Sequence, residues 1–271
     1  MTKNDPKNPK NKSNMSEQIE KDKIYNCDCL EGMKHIPNAS IDAIICDLPY
    51  GTTSNPWDAV IPMEPLWEEY LRVSKPDANI VLFGQGMFTA SLMFAQPKLW
   101  SYNLVWKKGE RTTGFVFANV RPLGNHEDIA VFRRSGKAVY NPQMEKGEPY
   151  DKSKFSGVYN NDKCYCKGEF DHQFKPNDGT RYPKSVLDFT QNWQRQMQLH
   201  PTQKPVDLLR YLIRTYSNEG DTILDNCMGS GTTAVACIKE KRHFIGFELN
   251  KDYYDKACRR IDAERRQLSL F

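Results

Sequence analysis

The sequence has no apolar run long enough to cross a membrane, because no stretch approaches roughly 18 consecutive apolar residues. Its opening residues, MTKNDPKNPKNKSNMSEQ, also lack the apolar centre of a signal peptide. Their low hydrophobicity predicts a disordered polar tail over residues 1–20. We therefore expect a cytoplasmic protein with no membrane attachment.

Cysteine pairs at metal-binding spacing are missing among the eight cysteines. Most of these residues lie in segments typical of strands and helices, where reduced and partly buried thiols are expected. The nearest approach to a metal site is Cys164-Tyr-Cys166 with His172 nearby. It lacks the C-x-x-C pairing of a zinc site, so the sequence predicts no metal.

Net charge is low, at +4 over 271 residues, which permits a nucleic-acid partner without requiring one. The excess sits in residues 133–199, which carry twelve Lys or Arg and eight Asp or Glu. The same segment holds ten aromatic residues. Basic and aromatic side chains together suit phosphate contacts and base stacking. A solvated insertion with a small aromatic core would have the same composition.

Outside that segment, short apolar strands alternate with amphipathic helices. The predicted strands cover residues 23–26, 41–46, 79–83, 102–106, 128–132, 222–224 and 243–247. The predicted helices cover 28–35, 64–74, a stretch ending at 94, 206–217, 230–239 and 251–261. This alternation predicts an α/β fold with a parallel sheet covered by helices. We expect residues 21–132 and 200–263 to form one domain, with 133–199 inserted and 264–271 as a tail.

A glycine-rich turn, Asp225-Asn-Cys-Met-Gly229-Ser-Gly231-Thr-Thr, joins a predicted strand to a helix. Such a turn lets a ligand approach the backbone closely, and Glu248 at the end of the next strand can accept ribose hydroxyls. A P-loop would need Lys before the Thr pair. A dinucleotide pattern stays open, because Ala234 is allowed at its third glycine position. S-adenosylmethionine fits as well, and Gly231 could instead serve only close packing.

Two further motifs end on polar side chains. The segment His200-Pro-Thr202-Gln-Lys204-Pro205 offers a hydroxyl and a cation that could hold a carboxylate, or it could simply enter a helix. The segment Asp47-Leu48-Pro49-Tyr50 follows a buried strand, at the carboxyl-end rim where parallel sheets bind ligands. The proline biases the residue before it toward an extended backbone, which can hold its carbonyl outward.

Together these motifs resemble the β class of amino-group DNA methyltransferases. Asp47-Leu48-Pro49-Tyr50 matches the D-P-P-Y motif, Cys227-Met-Gly229-Ser-Gly231 the F-x-G-x-G turn, and Thr202-Gln-Lys204-Pro205 the T-x-K-P element. The motifs stand in the permuted order of the β class, and the resemblance covers about residues 23–262. Leu48 and Cys227 depart from the pattern, in place of proline and phenylalanine.

The resemblance implies a Rossmann-like methyltransferase fold, S-adenosylmethionine as cofactor and double-stranded DNA as substrate. Residues 21–132 would form the catalytic half, 133–199 the target-recognition region and 200–263 the cofactor-binding half. The implied catalytic residues are Asp47, Leu48, Pro49 and Tyr50. The implied cofactor-binding residues are Asp28 near adenine, Thr202 and Lys204 at the methionine carboxylate, Asp225, Gly229 and Gly231 in the turn, and Glu248 at the ribose.

In this family an acid at the first motif position goes mostly with adenine, so Asp47 favours transfer to adenine N6. Cytosine N4 is the alternative, and RNA or a protein amide fits less well with a basic, aromatic insertion. A DNA-binding protein without catalysis and an NAD-dependent oxidoreductase are alternatives from other classes. The resemblance also leaves open a homodimer and a cognate restriction endonuclease acting on the same site.

Overall fold

The computed structural model describes residues 19–52, 58–151, 157–160, 169–172, 175–190 and 203–268. The chain divides into two compact units. The larger unit combines the chain up to Asn141 with the chain from Ser185 onward, and the smaller unit is Pro142–Lys184. The smaller unit lies inside the basic segment 133–199, and none of the predicted strands and helices falls within it.

The strands of the larger unit alternate with its helices along the chain. The strands are β1 Lys23–Tyr25, β2 Ile41–Cys46, β3 Ser74–Gly84, β4 Trp100–Lys107, β5 His126–Arg133, then β6 Glu145–Lys146, β7 Gly157–Asn160, β8 Glu169–His172 and β9 Thr180–Arg181 in the smaller unit, then β10 Val186–Asp188, β11 Thr222–Asp225 and β12 His243–Phe247. The helices are α1 Cys29–Met33, α2 Met63–Val73, α3 Met87–Ala95, α4 Val206–Tyr216, α5 Thr232–Lys239 and α6 Lys251–Leu268.

Eight strands form one sheet in the order β1-β12-β11-β2-β3-β5-β4-β10. Every neighbouring pair is parallel except those that β5 makes with β3 and β4. This arrangement confirms the predicted Rossmann-like α/β fold with an intact central sheet. The smaller unit holds two antiparallel pairs, β6 with β9 and β7 with β8.

Two strands from distant parts of the sequence lie side by side at the centre of the sheet. Ile223 of β11 pairs with Ala43 of β2, and both strands are buried almost throughout. Such continuous burial explains their apolar sequences. The chain leaves β11 toward β12 on one side and leaves β2 toward β3 on the other, so a crevice opens at their carboxyl ends.

The hydrophobic core lies on both faces of this sheet. On one face Phe83 meets Trp106 edge to face, with ring centroids 6.4 Å apart. On the other, Trp67 of α2 packs on Phe132 at 4.9 Å.

Among the residues that the structure describes, no helix has the length and apolar content needed to span a bilayer.

Some element boundaries differ from the sequence prediction. Helix α1 ends at Met33 rather than at residue 35, and β3 begins at Ser74, where it already pairs with Ile41. Helix α6 runs to Leu268, well past residue 261. An ion pair of 2.5 Å between Lys239 and Glu264 ties this extension to α5, which the local sequence does not reveal.

Both ends of the larger unit that flank the smaller one are held by hydrogen bonds. The backbone N–H of Asn141 donates to the carbonyl of Thr215 at 2.8 Å, and its side-chain amide donates to the carbonyl of Ser217 at 3.1 Å. On the returning side, the carbonyl of Ser185 accepts from the N–H of Val105 at 2.8 Å. The two connections are therefore fixed to α4 and β4.

Gly231 allows a close approach between α5 and α6 and also adopts a positive φ. Comparison with Gly220 separates the effect of the close packing from that of the backbone conformation. The φ of Gly231 is +78°, and an added Cβ would lie 3.1 Å from Cβ of Ala257. Gly220 has a similar φ of +83° but open space around such a Cβ. We expect Gly220→Ala to lower the free energy of unfolding by roughly 1–2 kcal/mol, for the backbone alone. Gly231→Ala should lose roughly 1–3 kcal/mol more, because the methyl group overpacks against α6.

Urea unfolding of both variants and the wild type measures this difference. Equal losses in the two variants would show that Gly231 is needed only for its backbone conformation.

Candidate active site

The crevice at the carboxyl ends of β2, β11 and β12 contains a cavity of about 640 Å³. Nine of the eleven residues expected from the sequence line it: Asp28, Asp47, Leu48, Pro49, Tyr50, Lys204, Asp225, Gly229 and Glu248. Gly231 stands behind the lining, packed against α6. Thr202 lies outside the described residues. The topology thus brings the two halves of the sequence to one place.

Four charged side chains form a connected cluster beside this cavity, which we call the ionic tetrad: Asp47, Lys204, Glu127 and Lys108. The Lys204 ammonium lies 2.5 Å from Asp47 Oδ2 and 3.2 Å from Glu127 Oε2. The Lys108 ammonium lies 2.5 Å from Glu127 Oε1. Lys204 and Glu127 therefore each contact two opposite charges, and the four formal charges of the tetrad sum to zero.

Burial sets the electrostatics of the tetrad, and the ion pairs oppose it. Burial raises the pKa of Asp47, and the attraction of Lys204 offsets only part of this effect. Burial also acts to raise the pKa of Glu127, but Lys204 and Lys108 outweigh it and the pKa falls below its usual range. For Lys204, the two carboxylates outweigh burial, and its pKa is raised. Lys204 is therefore a permanent cation at neutral pH.

Aromatic rings surround the Lys204 ammonium. It lies 5.0 Å from the ring centroid of Phe83 and 5.9 Å from that of Tyr50. Ring faces attract cations, and more strongly where water is excluded. Only 7% of the Lys204 side chain is exposed, so the rings and the two carboxylates replace most of its hydration.

Tyr50 joins the tetrad through its hydroxyl. The hydroxyl donates to Asp47 Oδ1 at 2.8 Å, and Glu127 Oε2 lies 3.5 Å away. Burial, together with these two carboxylates, raises the pKa of Tyr50 well above its usual range, so the phenol stays protonated. Its ring packs on Phe88 with centroids 4.9 Å apart. Asp47 is consequently held on one oxygen by a phenol and on the other by an ammonium.

Asp58 fixes the turn that follows Tyr50. Its carboxylate accepts the backbone N–H of Gly51 and of Thr52, both at 2.9 Å. Gly51 has a φ of +68°, and an added Cβ would lie 2.6 Å from a methyl carbon of Val60. Only glycine therefore fits this turn, and the buried acid holds the loop that continues the motif.

The second acidic group lies in the glycine-rich turn. Asp225 accepts the Thr233 hydroxyl at 2.5 Å and the Cys227 N–H at 3.0 Å. Burial raises the pKa of Asp225 to about 6, against the lowering effect of these donors. The side chain therefore braces the turn from strand β11 to helix α5.

Glu248 bridges the glycine turn to the start of α6. Its Oε2 accepts the N–H of Gly229 at 2.8 Å, and its Oε1 accepts the N–H of Asn250 at 2.7 Å. Burial raises its pKa despite both donors. Each carboxylate oxygen can accept more than one hydrogen bond, so the side chain can still receive a hydroxyl from a ligand.

Asp28 lies across the cavity at the start of α1. Its carboxylate accepts the N–H of Leu30 at 2.9 Å and of Glu31 at 3.2 Å and so caps the helix. Below it, the Asn226 side chain accepts the Tyr70 hydroxyl at 2.5 Å, and its amide lies 3.5 Å from the sulfur of Cys29. These contacts order the floor of the cavity.

Three residues of the site were not expected from the sequence: Glu127, Lys108 and Asp58. Glu127 and Lys108 flank the predicted strands 128–132 and 102–106, and a charge at a strand end was the only available signal. Lys204 is expected from the sequence to face a cofactor carboxylate, and in the structure it contacts two protein carboxylates. Among the described residues no cluster of three metal-ligating side chains occurs, and Cys164 and Cys166 fall outside that part of the chain.

Comparison with known sequences identifies the family. A profile of the N6/N4 DNA methylases matches residues 41–259. The type II methyltransferase M.HpaI of Haemophilus parainfluenzae is 29% identical over 249 residues, covering 87% of this chain and 72% of that protein. The type II methyltransferase M1.MboII of Moraxella bovis is 26% identical over 262 residues, covering 88% of this chain and 96% of that protein.

Solved structures share the fold. The complex of M1.HpyAVI with SAM has a TM-score of 0.59 at 22% identity, covering 88% of this chain and 98% of that one. The PvuII DNA methyltransferase, which is cytosine-N4-specific, has a TM-score of 0.62 at 14% identity, with 92% and 93% covered. Because the profile spans the catalytic motif, the inserted segment and the glycine turn, the chain belongs to the N6/N4 DNA methylase family.

Proposed function

We propose that this chain transfers a methyl group from S-adenosylmethionine to the exocyclic N6 amino group of adenine in DNA. The observation that carries the proposal is the carboxylate of Asp47, which lines the cavity and is hydrogen-bonded to Tyr50 and Lys204. An acid at this position favours adenine over cytosine. Cytosine N4 is the competing target within the family.

The amino group of adenine is a poor nucleophile, because its lone pair is delocalised into the ring. Acceptors aimed at its two protons favour the pyramidal form that can attack a methyl group. Asp47 supplies one acceptor, and the backbone carbonyl of Leu48 is the candidate for the second. Positioning carries much of the remaining barrier, because the sulfonium already holds a good leaving group.

The ionic tetrad prepares Asp47 for this role. A buried carboxylate without a counter-charge would take up a proton and lose its capacity to accept two hydrogen bonds. Lys204 keeps Asp47 charged, and Glu127 with Lys108 keeps Lys204 in place. As the amine gains positive charge in the transition state, the ionised Asp47 stabilises it.

The target base must leave the duplex to reach this depth. The ring of Tyr50 provides a face for the extruded base, and stacking of this kind contributes roughly 1–3 kcal/mol per base. Pro49 holds the backbone between the acceptor and the ring. The base edge and the base plane are thus read by adjacent residues of one motif.

The cofactor half offers the groups that S-adenosylmethionine needs. Glu248 would receive the ribose hydroxyls, Gly229 and Asp225 would shape the turn around the methionine portion, and Asp28 would lie near adenine. Lys204 has three N–H donors and uses two on protein carboxylates. Its third donor could reach the methionine carboxylate, with Thr202 as a second contact.

The segment 133–199 is proposed as the target-recognition region. Within the smaller unit, the Arg181 guanidinium lies 4.6 Å from the ring centroid of Tyr150, and Tyr182 is largely exposed. Stacked arginine and open tyrosine suit contacts with phosphates and bases. The homodimer and the cognate restriction endonuclease stay predictions of the resemblance.

Sequencing tests the target base. DNA from a host without its own methylation, expressing this chain, should carry N6-methyladenine at one recurring site. The same host expressing Asp47→Ala should show background levels. Finding only N4-methylcytosine would refute the adenine assignment while leaving the methyltransferase activity intact.

Asp47→Ala should lower kcat by roughly 10²–10³-fold, by analogy with removal of an oxyanion-hole donor. Binding of S-adenosylmethionine should persist, because the groups assigned to the ribose and to the glycine turn are untouched. Calorimetry for the cofactor and single-turnover methylation for the rate separate the two effects. Asp77→Ala, at an exposed acid, is the control. Turnover near that of the wild type in Asp47→Ala would contradict the mechanism.

Glu127→Gln should change the pH dependence of kcat. The active form requires ionised Asp47, so kcat falls as pH drops through the pKa of Asp47. Burial raises that pKa, and the charge of Glu127 raises it further. Removing the charge should therefore move the acid limb to lower pH.

The profile is measured at saturating S-adenosylmethionine, so that titration of Asp225 in the free enzyme does not contribute. Glu64→Gln, at an exposed acid on α2, should leave the limb unmoved. A shift to higher pH in Glu127→Gln would show that Glu127 does not raise the pKa of Asp47.

A further inference from the structure

The connection between β4 and β5 carries an exposed apolar tip. All residues from 110 to 123 are exposed. Among them, Phe115, Val116 and Val120 have 82%, 88% and 81% of their surface open to solvent, and Phe117 and Leu123 add further apolar area. We call residues 113–124 the apolar finger. Single apolar residues scattered over a surface are ordinary, but a cluster of large exposed apolar residues indicates a binding surface.

The backbone of the apolar finger is ordered by its own hydrogen bonds. Thr113 and Gly124 close its base, with N–H to carbonyl distances of 2.7 and 3.0 Å in the two directions. At the tip, Gly114 adopts a left-handed φ of +84°, and its carbonyl accepts the N–H of Phe117 at 2.9 Å. The N–H of Arg121 donates to the carbonyl of Phe117 at 3.0 Å. The apolar side chains are therefore presented on a preformed turn.

The apolar finger arises from the same rim as the catalytic motif. Strand β4 runs parallel to β10, strand β5 runs antiparallel to β3, and the finger joins them at the edge where Asp47 follows β2. Lys108 precedes the finger and Glu127 follows it, and their ion pair of 2.5 Å clamps the two ends. Any substrate that places an amino group at Asp47 must approach this edge.

Charge around the apolar finger favours a polyanion as the occupant. Arg111 and Arg121 flank the tip, with Glu110 as the single acid between Lys107 and the finger. The guanidinium of Arg121 lies 4.9 Å from the ring centroid of Phe117. A cation beside an apolar ring can contact a phosphate while the ring contacts a base.

We propose that the apolar finger inserts into the base stack of the duplex and occupies the space left when the target base turns out toward Tyr50. Extrusion of a base requires unstacking, and apolar side chains such as Phe are the wedges that proteins insert between base steps. The ordered turn lets Phe115 and Val116 do this with little loss of conformational entropy. This inference rests on the proposed function in DNA.

The double variant Phe115→Ala, Val116→Ala tests the wedge, because both side chains are exposed and their loss leaves the core intact. Methylation is measured on a matched duplex and on the same duplex with a mismatch opposite the target adenine. The variant should lose about tenfold in rate on the matched duplex and about twofold or less on the mismatched one, where the base is already poorly stacked. With 2-aminopurine at the target position, its fluorescence gain on binding should shrink in the variant only on the matched duplex.

Phe94→Ala is the matched control, since Phe94 on α3 is 83% exposed and lies toward the far end of that helix. It should leave both rates unchanged. A wild-type protein that methylates no duplex DNA would overturn the proposed function itself. An active wild type whose double variant loses equally on both duplexes, or loses nothing, would overturn the wedge alone. A wild-type dimer that becomes monomeric in the double variant would show the finger to be an interface between two copies, and would also overturn it.

Discussion

The contact between Lys204 and Asp47 is the constraint on which the site depends. A largely buried carboxylate loses hydration and must gain a counter-charge to stay ionised. Lys204 provides that charge, and it is itself too buried to stand without Glu127. Glu127 in turn has Lys108. Charge compensation thus links four side chains. Removing any one of them would leave a neighbouring buried charge with one fewer counter-charge to offset its desolvation.

This chain of compensation also explains why the sheet is built as it is. Asp47 comes from the first half of the sequence and Lys204 from the second, while Glu127 lies in the antiparallel strand β5 and Lys108 directly follows β4. The order β11-β2-β3-β5-β4 brings these positions to one rim. The two halves of the methyltransferase domain are therefore joined at the centre by backbone pairing and at the rim by charge.

The features that depend on local sequence could be predicted, and those that depend on contacts between distant residues could not. The strands, most helices, the catalytic motif and the glycine turn follow from periodicity, turn residues and short motifs. The partners Glu127 and Asp58 do not, because their roles depend on which strands are neighbours and on how a loop returns. Leu48 lies between these cases. Its place in the motif was visible, yet its side chain is 3% exposed and packs in the core, a contact that no motif could show.

The fixed connections at Asn141 and Ser185 bear on how such enzymes diversify. Both residues are hydrogen-bonded to elements of the sheet domain, so the sheet is complete without help from Pro142–Lys184. Substitutions between those anchors can therefore accumulate without straining the strands that hold the chemistry. Under the proposal that it reads the target sequence, the smaller unit is an exchangeable cassette: replacing one stretch of sequence would change the DNA preference while the methyl-transfer machinery is inherited unchanged.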